Sequence, residues 1–277
     1  DALPIFRVCE ESDREAVIEQ NRLLAHLVEH GVPTPAPRSC DDGQGTVALH
    51  RGKPVVVFPF CPGRSCRQDE VDVERTTAVG EVLARIHRAG EAYRGAPRSR
   101  FGFDAIQARL QGLREANLPV GIAADVQRLA ERVEDLAAGG ERGGRGVIHG
   151  DMFRDNVLWH EGGDLSAVLD FESASEGSKA FDLMVTMLAW CFGSTLELEL
   201  VAGLVAGYRQ HAPLDADDLS DCYDAARTAA VRFAITRITD YELRPGSVVV
   251  YKDYRRFMAR LRAIESLGQD GLAAVLA

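Results

Sequence analysis

Val147-Ile148-His149-Gly150-Asp151-Met152-Phe153-Arg154-Asp155-Asn156-Val157-Leu158-Trp159, followed by Ala167-Val168-Leu169-Asp170-Phe171-Glu172, decides how the rest of this chain is read. An apolar pair leads into a short loop carrying His149, Gly150, Asp151 and Asn156. A second apolar run then ends on a lone acid, Asp170. Phosphoryl transfer to a hydroxyl needs such groups close together. One carboxylate must orient the hydroxyl, and an amide and a second carboxylate must hold the metal on the nucleotide's phosphates. Asp151 is read as the catalytic base that receives the hydroxyl proton. Asn156 and Asp170 are read as the oxygen donors to Mg²⁺, which prefers hard ligands. Gly-Asp alone would be turn material; the spaced Asn and the strand ending in Asp-Phe-Glu turn the reading towards chemistry. His149 precedes the tight turn and is expected to pin the loop backbone.

Working outward, Leu3 to Cys9 reads as a strand interrupted by Arg7. Asp13 to His30 has helical spacing, with Ala16, Leu23, Leu24 and Leu27 as its apolar stripe, Ser12 or Asp13 as N-cap and Gly31 as stop. The alternate prolines of 33–37 impose an extended path. Thr46 to His50 and Pro54 to Phe60 read as an antiparallel pair about an Arg51-Gly52-Lys53 turn, and Cys61-Pro62-Gly63 is a natural crossing between lobes. From Val71 the pattern is mainly helical, through Glu81–His87 and Ala123–Ala138. The glycine-rich 139–144 connector then delivers the chain to Val147. Beyond the catalytic stretch, helices are predicted over Ala180–Phe192, Glu197–His211, Leu219–Leu243 and Tyr254–Leu267. The fold class is therefore α+β. A small antiparallel-sheet lobe over 1–62 faces the nucleotide, and a larger helical lobe over 63–277 carries the catalytic loop and acceptor site.

At 277 residues and 30.2 kDa the chain has ample core for two modest lobes. Its net charge of −10 argues against a nucleic-acid binder, which needs a basic face. No apolar run is long enough for a bilayer, and the start lacks a basic region and cleavage site, so a cytoplasmic protein is expected. The six cysteines are scattered with no Cys-x-x-Cys pair, which fits reduced thiols. Monomer and homodimer stay equally open.

Other candidates carry two readings each. Glu19 on the first helix and Arg7 on the preceding strand can pair to hold the phosphates, or be an ordinary surface acid and an edge-strand cation. Phe58 and Phe60 stand where an adenine would meet the strand joining the lobes, although Val55, Val57 and Pro59 also suit plain strand packing. Arg154 can contact a phosphate or an acidic substrate, or pair with Asp155 or Asp182. Asp182 itself reads as a structural cap or anchor of the helix that begins there.

Taken together, His149-Gly150-Asp151, Asn156 and Asp170 in Leu-Asp-Phe-Glu resemble the aminoglycoside-phosphotransferase-like kinases, a branch of the protein-kinase-like fold. The run from Asp151 to Leu158 is similar to the Asp-Leu-Phe-Arg-Asp-Asn-Val-Leu of that superfamily's homoserine kinases. Arg232-Phe233 to Arg237, Asp240-Tyr241, Pro245-Gly246 and Lys252-Asp253 also resemble the homoserine-kinase C-terminal region. The resemblance implies ATP- and Mg²⁺-dependent phosphorylation of a small hydroxyl compound, foremost L-homoserine, for threonine synthesis. An amino-acid acceptor would need a cation and an anion, with Arg154, Arg237 and Asp240 as candidates. Aminoglycoside, choline and sugar kinases share the scaffold. For a cationic acceptor, Asp215, Asp217, Asp218 and Asp221 either line an acidic pocket or simply start a helix. A nucleotide-binding module without turnover is the remaining alternative. Two departures favour it: the front hairpin of the family has no counterpart ahead of Leu3, and Arg7 stands where the family has a strand Lys.

Overall fold

The computed structural model describes residues 3–10, 12–40, 43, 45–139, 143–243 and 251–277. Strand β1 (Ile5–Val8) is followed by helix α1 (Arg14–Glu29), which Asp13 caps by accepting the Ala16 N–H at 2.8 Å. The helix ends where Gly31 takes a φ of +77°, so that the Val32 and Gly31 N–H groups close on the Leu27 and Val28 carbonyls. Val17, Leu23, Leu24 and Leu27 form its buried stripe. Ala16, expected in that stripe, is exposed, because it sits in the first turn beside the cap.

Strands β2 (Ala48–His50) and β3 (Lys53–Phe58) pair about a two-residue turn, with Arg51 and Gly52 both at positive φ. That turn twists the hairpin in the sense its strands prefer. Lys53, expected in the turn, already belongs to β3 opposite His50. The first sheet has the order β1-β3-β2 and is antiparallel throughout.

The short strand β4 (Arg64–Ser65) enters a second sheet. Helices α2 (Val73–Glu91), α3 (Phe103–Glu115) and α4 (Val120–Leu136) follow. The sequence pattern does not separate α2 from α3; the 92–102 loop does. Strand β5 (Arg145–Ile148) leads to the loop from His149 to Asn156, β6 (Val157–Trp159) and β7 (Leu165–Val168) follow it, and β8 (Ser175–Ser178) returns to pair with β5. The second sheet is β4-β6-β7 and the third is the β5-β8 ribbon.

Helices α5 (Lys179–Trp190), α6 (Leu198–Arg209), α7 (Ala216–Arg237) and α8 (Arg255–Leu276) complete the chain. A π turn over Ile238–Glu242 extends α7, and α8 kinks at Gly268. Residues 140–142 of the expected connector, and Pro245-Gly246, lie outside the described residues. Helices α2 and α6 pack with their backbones in contact. A Cβ on Gly80 would strike the Leu204 carbonyl, and one on Gly207 the Thr77 carbonyl. This approach brings His87 of α2 beside Tyr208 of α6, and so builds the floor of the site. Among the described residues, no helix is long and apolar enough to cross a membrane.

Candidate active site

The loop from His149 to Asn156 is held from below by Asp182. This acid is wholly buried on the first turns of α5. Its Oδ2 accepts the His149 N–H at 2.7 Å and His87 Nε2–H at 2.9 Å, and its Oδ1 accepts the Gly150 N–H at 2.7 Å. His87 Nδ1 in turn meets the Tyr208 hydroxyl at 2.7 Å. Burial pushes the Asp182 carboxyl up, but its bond to His87, the nearby His149 and the loop amide outweigh this and hold it below the usual range. Ser178, not Asp182, caps α5, by accepting the Phe181 N–H at 3.2 Å. Asp182 thus anchors the His149–Asn156 loop instead of the helix start.

His149 joins the two halves of the quoted stretch. Its Nδ1 accepts the Asp151 N–H at 3.2 Å, which leaves the proton on Nε2 to donate to the Leu169 carbonyl at 3.0 Å. The Leu169 N–H closes on the Asn156 carbonyl at 2.8 Å. Asn156 Nδ2 donates to the Asp151 carbonyl at 2.8 Å and lies 3.5 Å from its Oδ2. Asp170 itself sits in the left-handed region at φ 59°, a strained setting for a side-chain-bearing residue, and accepts the Glu172 N–H at 3.3 Å. Asp151, Asn156 and Asp170 are therefore brought together by three successive ties.

Asp151 and Asp170 open on one cavity of about 150 Å³. Arg100, Arg232, Arg237, Lys252, Glu172 and Asp240 contribute the charge of its other walls. Burial pushes the Asp151 carboxyl up, against the pull of Arg232, His149 and Lys252. Arg232 and Arg237 are both buried on α7, and both are depressed by burial to about 10, so each remains a cation at neutral pH. Arg237 Nη1 donates to the Asp253 carbonyl at 3.1 Å and its guanidinium lies 4.5 Å from the Phe257 ring. Lys252 reaches Asp155 at 3.1 Å, and Asp240 is paired with Arg109 at 2.8 Å.

Several of the residues singled out from the sequence fall elsewhere. Arg7 does not pair with Glu19: it forms an ion pair with Glu172, which Arg100 also reaches at 3.2 Å. The first sheet is thereby tied to the Asp-Phe-Glu turn by charge, and Glu19 lies near Arg22 and Tyr93 instead. Phe58 and Phe60 do not form a sandwich. Phe58 is 9% exposed and sits in the core with Val56, whereas Phe60 is 48% exposed. The buried face of β3 is Pro54, Val56 and Phe58, opposite to the expected Val55, Val57 and Pro59. Arg154 turns away from the cavity to bond Gln68, so it is not poised for an acceptor there.

The acid run at the start of α7 is structural. Asp215 caps the helix, while Asp221 and Asp218 accept the Gly143 and Gly144 N–H groups at 2.7 and 2.9 Å. Sequence reasoning gave Arg232 no role, yet it was visible as a lone cation in Ala229-Ala230-Val231-Arg232-Phe233-Ala234-Ile235. A charge inside so apolar a helical run has no solvent face to occupy.

The oxygen chemistry suits a hard cation. Asn156 spends its Nδ2 on Asp151, which leaves its Oδ1 free of that bond, and Asp170 lines the cavity that Asp151 opens on. Among the described residues no cluster of three or more His, Cys, Asp or Glu side chains stands ready for a metal. Two protein oxygens, completed by phosphate and water, match the usual Mg²⁺ arrangement.

Comparison with known proteins gives concordant findings. The model of the family described as "Phosphotransferase enzyme family" matches residues 5–216. A homoserine kinase of Caulobacter sp. (strain K31) is 35% identical over 251 residues, covering 86% of this chain and 75% of the relative. A homoserine kinase of Beijerinckia indica is 33% identical over 250 residues, covering 89% and 76%. Among solved structures, an amicoumacin kinase in complex with AMP-PNP, Ca²⁺ and its ligand superposes with a TM-score of 0.70 at 17% identity, over 96% of this chain and 81% of the other. A choline/ethanolamine kinase family protein from Mesorhizobium loti gives 0.65 at 17%, over 99% and 86%. At these identities the structural likeness speaks for the two-lobed kinase-like α+β fold.

Proposed function

The chain belongs to the phosphotransferase enzyme family, whose members here are alcohol-acceptor kinases, and from that premise we propose that it transfers the terminal phosphoryl group of ATP to the hydroxyl of L-homoserine, giving O-phospho-L-homoserine. The observation that carries this reading is the composition of the Asp151 cavity. At about 150 Å³ it falls below the ~300–1,000 Å³ common for drug-sized ligands. It combines a base with buried cations and an acid, which suits a small zwitterionic alcohol better than a polycationic drug. The homoserine kinases among the relatives support the same acceptor.

In this reading Asp151 aligns the acceptor hydroxyl and takes its proton as the new O–P bond forms and the bridging O–P bond to ADP breaks. Because burial raises its carboxyl, Asp151 is a stronger base than an exposed aspartate. Asn156 and Asp170 would hold Mg²⁺, which when bound neutralises charge on the phosphates. Arg237 and Lys252 would receive the acceptor carboxylate, and Asp240 its ammonium group. Residues 1–62 would form the nucleotide-side lobe and 63–277 the acceptor-side lobe, with exposed Phe60 against the purine.

The test is a coupled ADP-release assay with Mg-ATP and a panel of L-homoserine, L-serine, choline, a hexose and an aminoglycoside. Homoserine-dependent turnover is expected, with kcat reduced by about 10²–10⁴ in Asp151→Asn. Turnover only with another acceptor removes the homoserine assignment. ATP consumption that ignores every acceptor, or an unimpaired Asp151→Asn, removes the base.

A further inference from the structure

Arg232 is 4% exposed and Arg237 9%. Among the described residues the Nε of each has no hydrogen-bond partner and neither forms an ion pair. A buried cation without a counterion is costly, so each position calls for a specific compensation. Arg237 faces the acceptor in the reading above. Arg232 is placed differently. Its Nη1 donates to the Gly150 carbonyl, immediately before Asp151. Its guanidinium is clamped between the Phe101 and Phe233 rings, at 4.5 and 4.3 Å, with Phe181 at 5.9 Å. The loop is thus gripped from both sides just ahead of the base: Asp182 holds the His149 and Gly150 N–H groups, and Arg232 holds the Gly150 carbonyl.

We propose that Arg232 is a positioning residue for phosphoryl transfer, which fixes the aim of Asp151 through the Gly150 carbonyl from the wall of the cavity that Asp151 lines. The proposal rests on Asp151 being the base. The groups that face Asp151 are Arg232 and Arg237 from α7, His149 from its own loop, Lys252 from the segment before α8 and Asp170 from the Asp-Phe-Glu turn. Those that face Arg232 are Asp151, Asp182, Arg100 and Arg109.

The experiment compares Arg232→Gln, Arg232→Lys and Phe101→Leu with the unchanged enzyme, measuring kcat and both KM values and recording melting curves. Arg232→Gln is expected to lose about a hundredfold in kcat, the scale of a misaimed catalytic group, while both KM values move by less than about threefold. Arg232→Lys, which restores a cationic donor towards the Gly150 carbonyl, recovers most of that loss. Phe101→Leu loosens the clamp and gives a smaller fall in kcat at unchanged KM, which keeps the proposal testable if Arg232→Gln fails to fold. A kcat that falls only in step with the folded fraction, with Arg232→Lys no better than Arg232→Gln, overturns the proposal, since a purely structural role has that signature. So does a raised acceptor KM with kcat intact, which would make Arg232 an acceptor ligand. If Asp151→Asn turns over normally, the base assignment has failed; if Asp151→Asn is silent and the folded Arg232 variants keep their kcat, only the positioning role has failed.

Discussion

Beneath the His149–Asn156 loop, the buried Asp182 has both carboxylate oxygens occupied, by two loop amides and the His87 imidazole. Across the cavity, the buried Arg237 donates to one backbone carbonyl and lies over an aromatic face, and among the described residues its Nε has no partner. The first region spends its charge on holding a backbone shape, as Arg232 does through the Gly150 carbonyl. The second keeps charge in reserve facing the cavity. Buried charge thus has two uses within one site, and the hydrogen-bond accounting tells them apart. The two acids on either side of the loop make the same distinction: Asp182 is held below the usual carboxylate range and Asp151 is pushed above it.

The sharpest way to break this comparison is to remove the anchor. Asp182→Asn keeps one oxygen, so an NH2 donor faces an N–H donor at either the His149 or the Gly150 amide, and it strips the His87 contact of its charge. A loss of about 3–5 kcal/mol is expected, as for breaking a buried charged pair. That is a large part of an ordinary domain's stability, and turnover should fall with it; denaturant titration and the ADP-release assay measure the two. A variant that unfolds at the normal denaturant concentration would show the loop to be held by something else.

Arg237→Gln should behave in the opposite way. Loss of a charged hydrogen bond to the acceptor is worth about 1.5–3 kcal/mol, or roughly 10–100-fold in acceptor KM. The melting temperature should hold or rise, because an unpaired buried cation has been removed. A drop in stability without a change in KM would place Arg237 with the anchor and not with the acceptor.

The two acids also predict pH effects of opposite sign. Asp182, depressed in the fold, contributes stability above the ordinary carboxylate range that is lost as pH falls through its folded value. Asp151, raised in the fold, favours folding only while protonated, and that contribution disappears as pH rises through its folded value. At neutral pH, therefore, Asp151→Asn should melt slightly higher than the active enzyme while losing turnover. A lower melting temperature would mean that the ionised carboxylate is itself part of the scaffold. Activity should fall with acidification earlier than an ordinary aspartate base would require.

The gathering of His149, Asp151 and Asn156 on one loop was legible in the sequence because it is local. His149, Asp151 and Asn156 are neighbours along the chain, and the apolar run ending at Asp170 has one natural partner. Most helices around the loop were legible from their 3.6-residue period, but α8 continues past the expected end at Leu267, through its kink at Gly268, to Leu276, and α3 was not told apart from α2. What escaped depends on contacts distant in sequence. Asp182 looks like a helix cap until His87, 95 residues away, is seen to share it. Arg232 reaches Gly150 across 82 residues. Phe58 and Val57 differ by one position, and alternation alone did not say which of them faces the core. Arg7 and Glu19 were joined because both types and places suited a phosphate-side pair, but Glu172 stood within reach of Arg7 from another element.

That last ion pair yields the smallest effect and a distinct kind of test. Arg7 and Glu172 are 29% and 40% exposed, so their contact should be worth only about 0–1 kcal/mol. Arg7→Ala should lower the melting temperature by no more than about 3 °C. If Arg7 serves only to tie the first sheet to the Asp-Phe-Glu turn, then Arg7→Ala and Glu172→Gln should be equivalent, each leaving the KM for ATP within about fivefold of normal. A large rise in that KM in Arg7→Ala alone would mean that Arg7 leaves Glu172 for the phosphates when nucleotide binds. The reserve of unpaired charge would then extend from the acceptor wall into the first sheet, and Glu172 would be the resting place of a cation that works elsewhere.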